Sequence, residues 1–369
     1  MRATVARNSQ DSNCRPHDGG GRVRFGVGSP RSRVASRTRG QHRAAVNKFT
    51  PMATNACHPD ALDIGRHSNC PSDTWHDRAA PLLVPAGGGE LVMLNVGANK
   101  GFNLAEWMQR YSAADVSNAQ WHKLMMHQAD PPCALQCCGV CLICHRKRMK
   151  QVATATLKLH AFELQPSNER LLRQLVALTN APVEVHAQAV SNATGVVYTR
   201  DSGKPGYESV SAMRSARGAR GTLLARNVTT VDAFLAARHI PRVGLVSIDT
   251  EGWDAFVMRG MAATLKARAV DVLEFEYTRA WKPHLGEAAI KDHLAWMDDV
   301  GYTCFWQGNR GALAQANGGC WRDEYLTPRT GIAHRWSNLV CTARADLIEL
   351  FRELTGPTAA AATAARGLG

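Results

Sequence analysis

The sequence has no apolar run approaching the about 18–20 residues that a transmembrane helix needs, so no membrane span is expected in its 369 residues. It also lacks an N-terminal apolar stretch of the ~7–15 residues typical of a secretory signal, and none is expected. Acidic residues are scarce at the start: residues 1–50 hold ten Arg and one Lys against Asp11 and Asp18. That segment carries +9 of the formal net charge of +13, so the basic balance says little about the folded part. A nucleic-acid partner is therefore not expected from charge alone. The basic loop with Arg214, Arg217, Arg220 and Arg226 has no interleaved aromatics on which bases could stack. No internal repeat is visible, which excludes a solenoid.

Cysteine is not lacking. There are eleven, and five fall between Cys133 and Cys144. Small secreted domains use disulfides to make up for small cores, but with 45% hydrophobic residues this chain can build a large one. The thiols are read as reduced in an intracellular compartment, or partly metal-bound. The Arg-rich, acid-poor first 50 residues are compatible with a transit peptide into an organelle such as a chloroplast or mitochondrion. In the run Cys133-Ala-Leu-Gln-Cys137-Cys138-Gly-Val-Cys141-Leu-Ile-Cys144, four thiolates (Cys133, Cys138, Cys141 and Cys144) are candidate tetrahedral zinc ligands. The second Cys-x-x-Cys knuckle of a zinc ribbon is missing, so reduced structural or redox thiols and an iron–sulfur site stay open as alternatives.

Residues 1–80 show no apolar periodicity and are expected to form a disordered basic extension; residues 357–369 form an Ala-rich tail of the same kind. Between them, residues 81–356 alternate strand and helix signals. Glu90–Val96 reads as a buried strand, followed by a glycine turn and a helix over Phe102–Tyr111. Leu157–Glu163 is a strand and Ser167–Leu178 a helix, with Ser167 as its expected N-cap. Val183–Ala187 and Gly195–Thr199 are short strands, and residues 200–227 a loop. Val231–Arg238, Ala255–Leu265, Glu287–Val300 and Asp346–Leu354 read as helices. Val243–Asp249, Ala269–Glu276, Tyr302–Trp306 and Asn338–Ala343 read as strands. Such alternation predicts βαβ units, hence an α/β doubly wound parallel sheet covered on both faces, with an antiparallel hairpin at one edge.

Chemistry gathers at predicted strand ends, where doubly wound sheets bind ligands. The turn Asn95-Val-Gly97-Ala-Asn99-Lys-Gly101 partly matches a G-x-G-x-x-G fingerprint, with Asn99 in place of the second Gly. Such a turn lets a ligand approach the backbone, although Gly97 and Gly101 equally suit a tight turn alone. Glu163 ends the next strand, where a carboxylate can accept hydrogen bonds from ribose hydroxyls. The 62-residue gap between Gly101 and Glu163 exceeds the usual about 20, so residues 113–152 are read as a Cys-rich insertion at a loop. Asp249-Thr-Glu251-Gly252 ends a further strand with two carboxylates poised for a cationic ligand or a proton transfer. Asp249 could equally be a helix cap, and Glu274 and Glu276 could line the cleft or be solvated.

Taken in order, LNVGANKGFN, AFELQPSN, AQAVSNATG, TTVDAFL, LVSIDTEGWDAFVMRG, LEFEYT and SNLV resemble the FkbM family of S-adenosylmethionine-dependent methyltransferases over residues 91–112 and 157–343. The resemblance implies the class I methyltransferase fold, a Rossmann-like sheet of about seven strands with a reversed last strand. It implies S-adenosylmethionine as cofactor, with Asn95, Gly97, Asn99 and Gly101 under its methionine part and Asn103 of the same motif grouped with them. Glu163 would hold the ribose, Ala189 would lie near the adenine, and Asp249 would sit beside the sulfonium. Trp253 departs from the pattern, which often has His or a small residue there, and would reshape the acceptor pocket. The expected reaction is O-methylation of a small hydroxylated molecule or a sugar. Asp249 is the first choice for base, then Glu251 and Glu276; His284 is a further candidate. No Asn-Pro-Pro-Tyr-type tetrapeptide is present, which argues against a nucleobase amino acceptor. A nicotinamide-dependent oxidoreductase and a non-catalytic binding module remain as alternatives.

Overall fold

The computed structural model describes residues 74–128 except 86, 88, 114 and 115, then 154–201, 203, 205, 212–213, 223–286, 289–308, 312–327 and 337–355, with Cys57 and Ala61. All of these belong to one unit, Met52–Gly369. Twelve strands are described: β1 Glu90–Val96, β2 Thr156–Phe162, β3 Val183–His186, β4 Ala189–Val190, β5 Gly195–Thr199, β6 Ala212–Met213, β7 Leu224–Thr229, β8 Val243–Ile248, β9 Val270–Tyr277, β10 Thr303–Gln307, β11 Leu313–Gln315 and β12 Ser337–Thr342. The main sheet has eight strands in the order β11-β10-β12-β9-β8-β1-β2-β3. Strands β3, β2, β1, β8 and β9 run parallel. Strand β12 is inserted between β9 and β10 and is antiparallel to both. This is the expected class I methyltransferase sheet with its reversed last strand, and β11 adds an eighth strand beyond it.

Period-two alternation sorts the strand residues onto two cores. Leu91 and Met93 of β1, Leu159 of β2 and Leu245 of β8 pack on one face with Trp107 and Met108. Val92, Leu94, Phe162, Val246 and Ile248 pack on the other face with Phe234. All six residues of β8 are buried, as a central parallel strand covered on both sides requires.

Several elements differ from the sequence reading, each for a tertiary reason. The helix Thr74–Leu83 lies in a segment without apolar periodicity. Its Trp75 is nonetheless fully buried against Phe351 and donates to Gln307. The first part of the 113–152 segment is a core helix, Asn118–Gln128, with Trp121 and Met125 fully buried. The expected Ala255–Leu265 helix is broken into Asp254–Arg259 and Ala262–Lys266. At the break, a Cβ on Gly260 would stand 2.0 Å from the Ser191 carbonyl oxygen. The helix read from Ser167 starts at Pro166 with Gln165 as N-cap, while the Ser167 hydroxyl donates to Asp201. Within the expected 200–227 loop, β7 pairs antiparallel with β5 and parallel with β4 to form a second, four-stranded sheet.

The reading of the cysteines as reduced or metal-bound is corrected for four of them. Cys304 and Cys341 face each other directly in the β10–β12 ladder and form a disulfide. Cys57 is bonded to Cys320. Antiparallel register brings the first pair together, and register cannot be read from a separation of 37 residues. The thiol argument for a reducing compartment does not extend to these four residues. The proposed zinc ligands Cys133, Cys138, Cys141 and Cys144 lie outside the described residues. Among the described residues no helix is long and apolar enough to cross a membrane.

Candidate active site

The site is built where β1 stands between β2 and β8, the point at which the winding of the sheet reverses. As β1 ends, the N–H groups of Gly97 and Ala98 both donate to the Phe162 carbonyl, at 3.0 and 2.9 Å. The Asp249 N–H donates to the Val96 carbonyl at 2.9 Å, so the ends of β2 and β8 are tied to the same turn. Gly97 has φ 83°, and a Cβ there would stand 1.8 Å from the Asp249 carbonyl oxygen. Gly101, at φ 79°, caps the Phe102–Tyr111 helix, and a Cβ on it would press on Leu172 and Trp121. Asn99 stands where the fingerprint has its second Gly and takes φ 47°, a left-handed conformation that Asn tolerates better than most residues. The Trp121 indole N–H holds the turn from outside by donating to the Lys100 carbonyl at 2.8 Å. The glycines thus have a packing reason, and the ligand argument must come from the polar groups around them.

Those groups centre on Glu163. Its side chain is 5% exposed, and its two oxygens accept from the Asn99 and Gln165 N–H groups, each at 2.7 Å. Burial pushes the carboxyl up to about 7, although the backbone donors pull it down. Around it, buried polar atoms stand without a partner among the described residues: both side-chain atoms of Asn95, Asn99 Oδ1 and Gln165 Oε1. Buried polar atoms are ordinarily satisfied, and an unsatisfied one costs about 1–3 kcal/mol. Asn95 is 1% exposed and lies on β1, with Ser247 of β8 beside it in register. Asn103 Nδ2 donates to Ser247 Oγ at 3.4 Å. Ala189 opens β4, paired with Val228.

On the β8 side, Asp249 and Glu251 are exposed and Glu276 is half-buried. The three carboxylates have oxygens within 4.8 Å of one another. Asp254, which was not singled out from sequence, opens the next helix and braces the turn after β8. Its fully buried carboxyl accepts from the Gly252 N–H at 3.2 Å and the Thr250 N–H at 3.4 Å. Burial raises Asp254 to about 7. Glu274 is engaged elsewhere, accepting from Gln307 at 2.7 Å. His284 is exposed and set edge-on to Trp253, with ring centroids 4.6 Å apart. Arg226 is ion-paired with Glu169 at 2.9 Å, while Arg214, Arg217 and Arg220 fall outside the described residues. Gln165, Ser247, Asp254 and Trp121 complete the site and were not singled out from sequence. Asp254 had a signal, since it closes the run Asp249-Thr-Glu-Gly-Trp-Asp254.

Residues 144–304 match the family model described as the methyltransferase FkbM domain. The chain is similar to that domain over this stretch. Its match begins at Cys144 and ends at Cys304, so it includes Glu163, the β8 end and β9 but not the glycine turn. No curated protein sequence matches the chain significantly. Among solved structures, the METTL16 MTase domain is similar at 8% identity and a TM-score of 0.33, over 73% of this chain and 66% of that one. The precorrin-6y C5,15-methyltransferase of Geobacter metallireducens GS-15 is similar at 9% identity and a TM-score of 0.30, over 78% and 97%. The strand order of the main sheet establishes the fold without these likenesses.

Proposed function

We propose that this chain binds S-adenosylmethionine at the β1–β2–β8 strand ends and transfers its methyl group to an oxygen of a small hydroxylated molecule or sugar. The observation that carries the reading is Glu163: a buried carboxylate fixed by the backbone N–H groups of Asn99 and Gln165, whose own side chains, with that of Asn95 at the end of β1, hold buried polar atoms without a partner among the described residues. These residues fit the cofactor. Glu163 would accept from the ribose hydroxyls, and Asn95 and Asn99 would meet the amino-acid part. Ala189 would lie on the adenine side, and the Gly97–Gly101 turn would carry the main chain close to the ligand.

When bound, S-adenosylmethionine supplies an activated methyl on a sulfonium. The task left to the protein is alignment for in-line displacement and removal of the acceptor proton. Asp249 at the end of β8 is exposed and adds negative charge where a cation would sit. It is our first assignment for the base that takes the hydroxyl proton, with Glu251 and Glu276 next to it in the same carboxylate group. A positioned base of this kind contributes about 10²–10⁴-fold.

The test is calorimetric titration of S-adenosylmethionine into the full chain and its Glu163→Ala variant, followed by a screen of hydroxylated acceptors. Binding by the parent that is weakened in the variant supports the reading. A folded parent that does not bind S-adenosylmethionine overturns it, and binding of a nicotinamide cofactor instead would identify an oxidoreductase.

A further inference from the structure

A second cluster of ligating side chains lies on the sheet face away from the glycine turn and the Phe102–Tyr111 helix. His160 of β2 stands in register with Glu184 of β3, and His186 follows Glu184 by two positions, so all three side chains emerge on one face. That is the face packed by Phe234, which meets both imidazoles edge-on at 5.1 Å. His160 Nδ1 lies 3.3 Å from His186 Nε2. It lies 3.5 Å from Glu184 Oε2, while the other oxygen of Glu184 is 3.8 Å from His186 Nδ1.

We propose that His160, His186 and Glu184 form a zinc site, with a fourth position open to water on the exposed side of Glu184. Zinc holds imidazole nitrogen and carboxylate oxygen at about 2.0–2.2 Å in a tetrahedron, whose edges are then about 3.3–3.6 Å. The two separations measured from His160 Nδ1 fall in that range before any metal is added. Both rings are buried while the Glu184 side chain is 48% exposed, so the donor set combines dry nitrogens with a route for entry. Arg238 forks onto the Glu184 carboxylate, one bond measuring 2.6 Å, and lies over the Phe234 ring. It fixes the carboxylate's orientation, as outer partners of metal ligands do, and its positive charge also opposes a cation there.

The site matters for the fold because β3 is a four-residue edge strand. The His186 carbonyl accepts from the Glu163 N–H at 3.0 Å, so a metal across β2 and β3 would clamp the strand end beside Glu163. The inference does not rest on methyl transfer, because metal content is measured without cofactor.

The experiment is zinc titration of the chelator-stripped full chain by competition with a chromophoric chelator. It compares the parent, Glu184→Gln, His186→Gln, and a chain with Cys133, Cys137, Cys138, Cys141 and Cys144 changed to Ser. We expect a site tighter than about 1 µM that survives in the Ser chain. It should weaken by at least about 10–100-fold in Glu184→Gln and His186→Gln. Cobalt substituted for zinc should give visible ligand-field bands from this site that Glu184→Gln removes, whereas thiolate ligation would show intense near-ultraviolet bands. Glu184 is exposed, so its variant keeps the fold even if His186→Gln does not. Zinc affinity and cobalt bands unchanged in folded Glu184→Gln, or no zinc bound by a folded Ser chain, would overturn the site. In the first case His160 and His186 merely share a proton beside the Glu184–Arg238 ion pair.

Discussion

Replacing Glu163 by Gln tests the cofactor site with the least disturbance. The side chain keeps its length and one acceptor oxygen, so one of the 2.7 Å bonds from Asn99 N–H and Gln165 N–H is retained. The other donor then faces an amide N–H₂, and one of the two oxygens offered to the ribose is lost together with the charge. A hydrogen bond to a charged group contributes about 1.5–3 kcal/mol. At about 1.4 kcal/mol per factor of ten, loss of one weakens S-adenosylmethionine binding about 10–150-fold. The fold should tolerate the change, because burial already disfavours the ionised carboxyl. Calorimetric titration near pH 8, where the parent carboxyl is ionised, reads the affinity, and thermal unfolding without ligand checks the fold. A folded Glu163→Gln chain with an affinity within about twofold of the parent would refute the reasoning that this carboxylate holds the ribose.

Asp249→Asn should lower methyl transfer by about 10²–10⁴-fold at saturating cofactor and acceptor; a loss confined to cofactor affinity would make Asp249 a cofactor orienter and not the base. Asp254 is raised to about 7, so the stability contributed by its neutral form is complete below the ordinary carboxylate range and is lost as pH rises through about 7. Urea midpoints at acid and alkaline pH should therefore fall less with rising pH in Asp254→Asn than in the parent, and equal slopes would count against the buried, neutral carboxyl. The Cys304–Cys341 bond closes a loop 37 residues apart in sequence. Changing both residues to Ala should cost about 2–4 kcal/mol in denaturant unfolding, and non-reducing peptide mapping that finds both thiols free would remove the basis for that loss.

The parallel half of the sheet was legible because its central strands β1 and β8 are largely apolar runs set apart by segments of helical periodicity. Glu90–Val96 and Phe102–Tyr111 appear with the bounds read from sequence. What escaped depends on contacts distant in the chain. Trp75 is buried because Gln307 and Phe351 wait for it more than 230 residues later. Strand β7 carries Arg226 and Asn227, so its six residues look like a polar loop until β5 and β4 pair with it. Gly260 breaks a helix only because the Ser191 backbone passes 2.0 Å from where its Cβ would be.

The site was legible in a different sense. Gly97 and Gly101 attract notice because they resemble a phosphate-binding fingerprint, yet packing against Asp249, Leu172 and Trp121 explains both. A chain with this turn and no ligand would need the same glycines. The sign of a ligand is a deficit: Asn95, Asn99 and Gln165 hold buried polar atoms without a partner among the described residues, and no pattern of residue types reveals a missing partner. The same holds for the two aspartates of Asp249-Thr-Glu-Gly-Trp-Asp254. Sequence does not say which of them is buried in the turn, and only the Gly252 and Thr250 N–H groups donating to Asp254 assign that place to it. Asp249 stands exposed at the strand end, where a carboxylate can serve a bound cation.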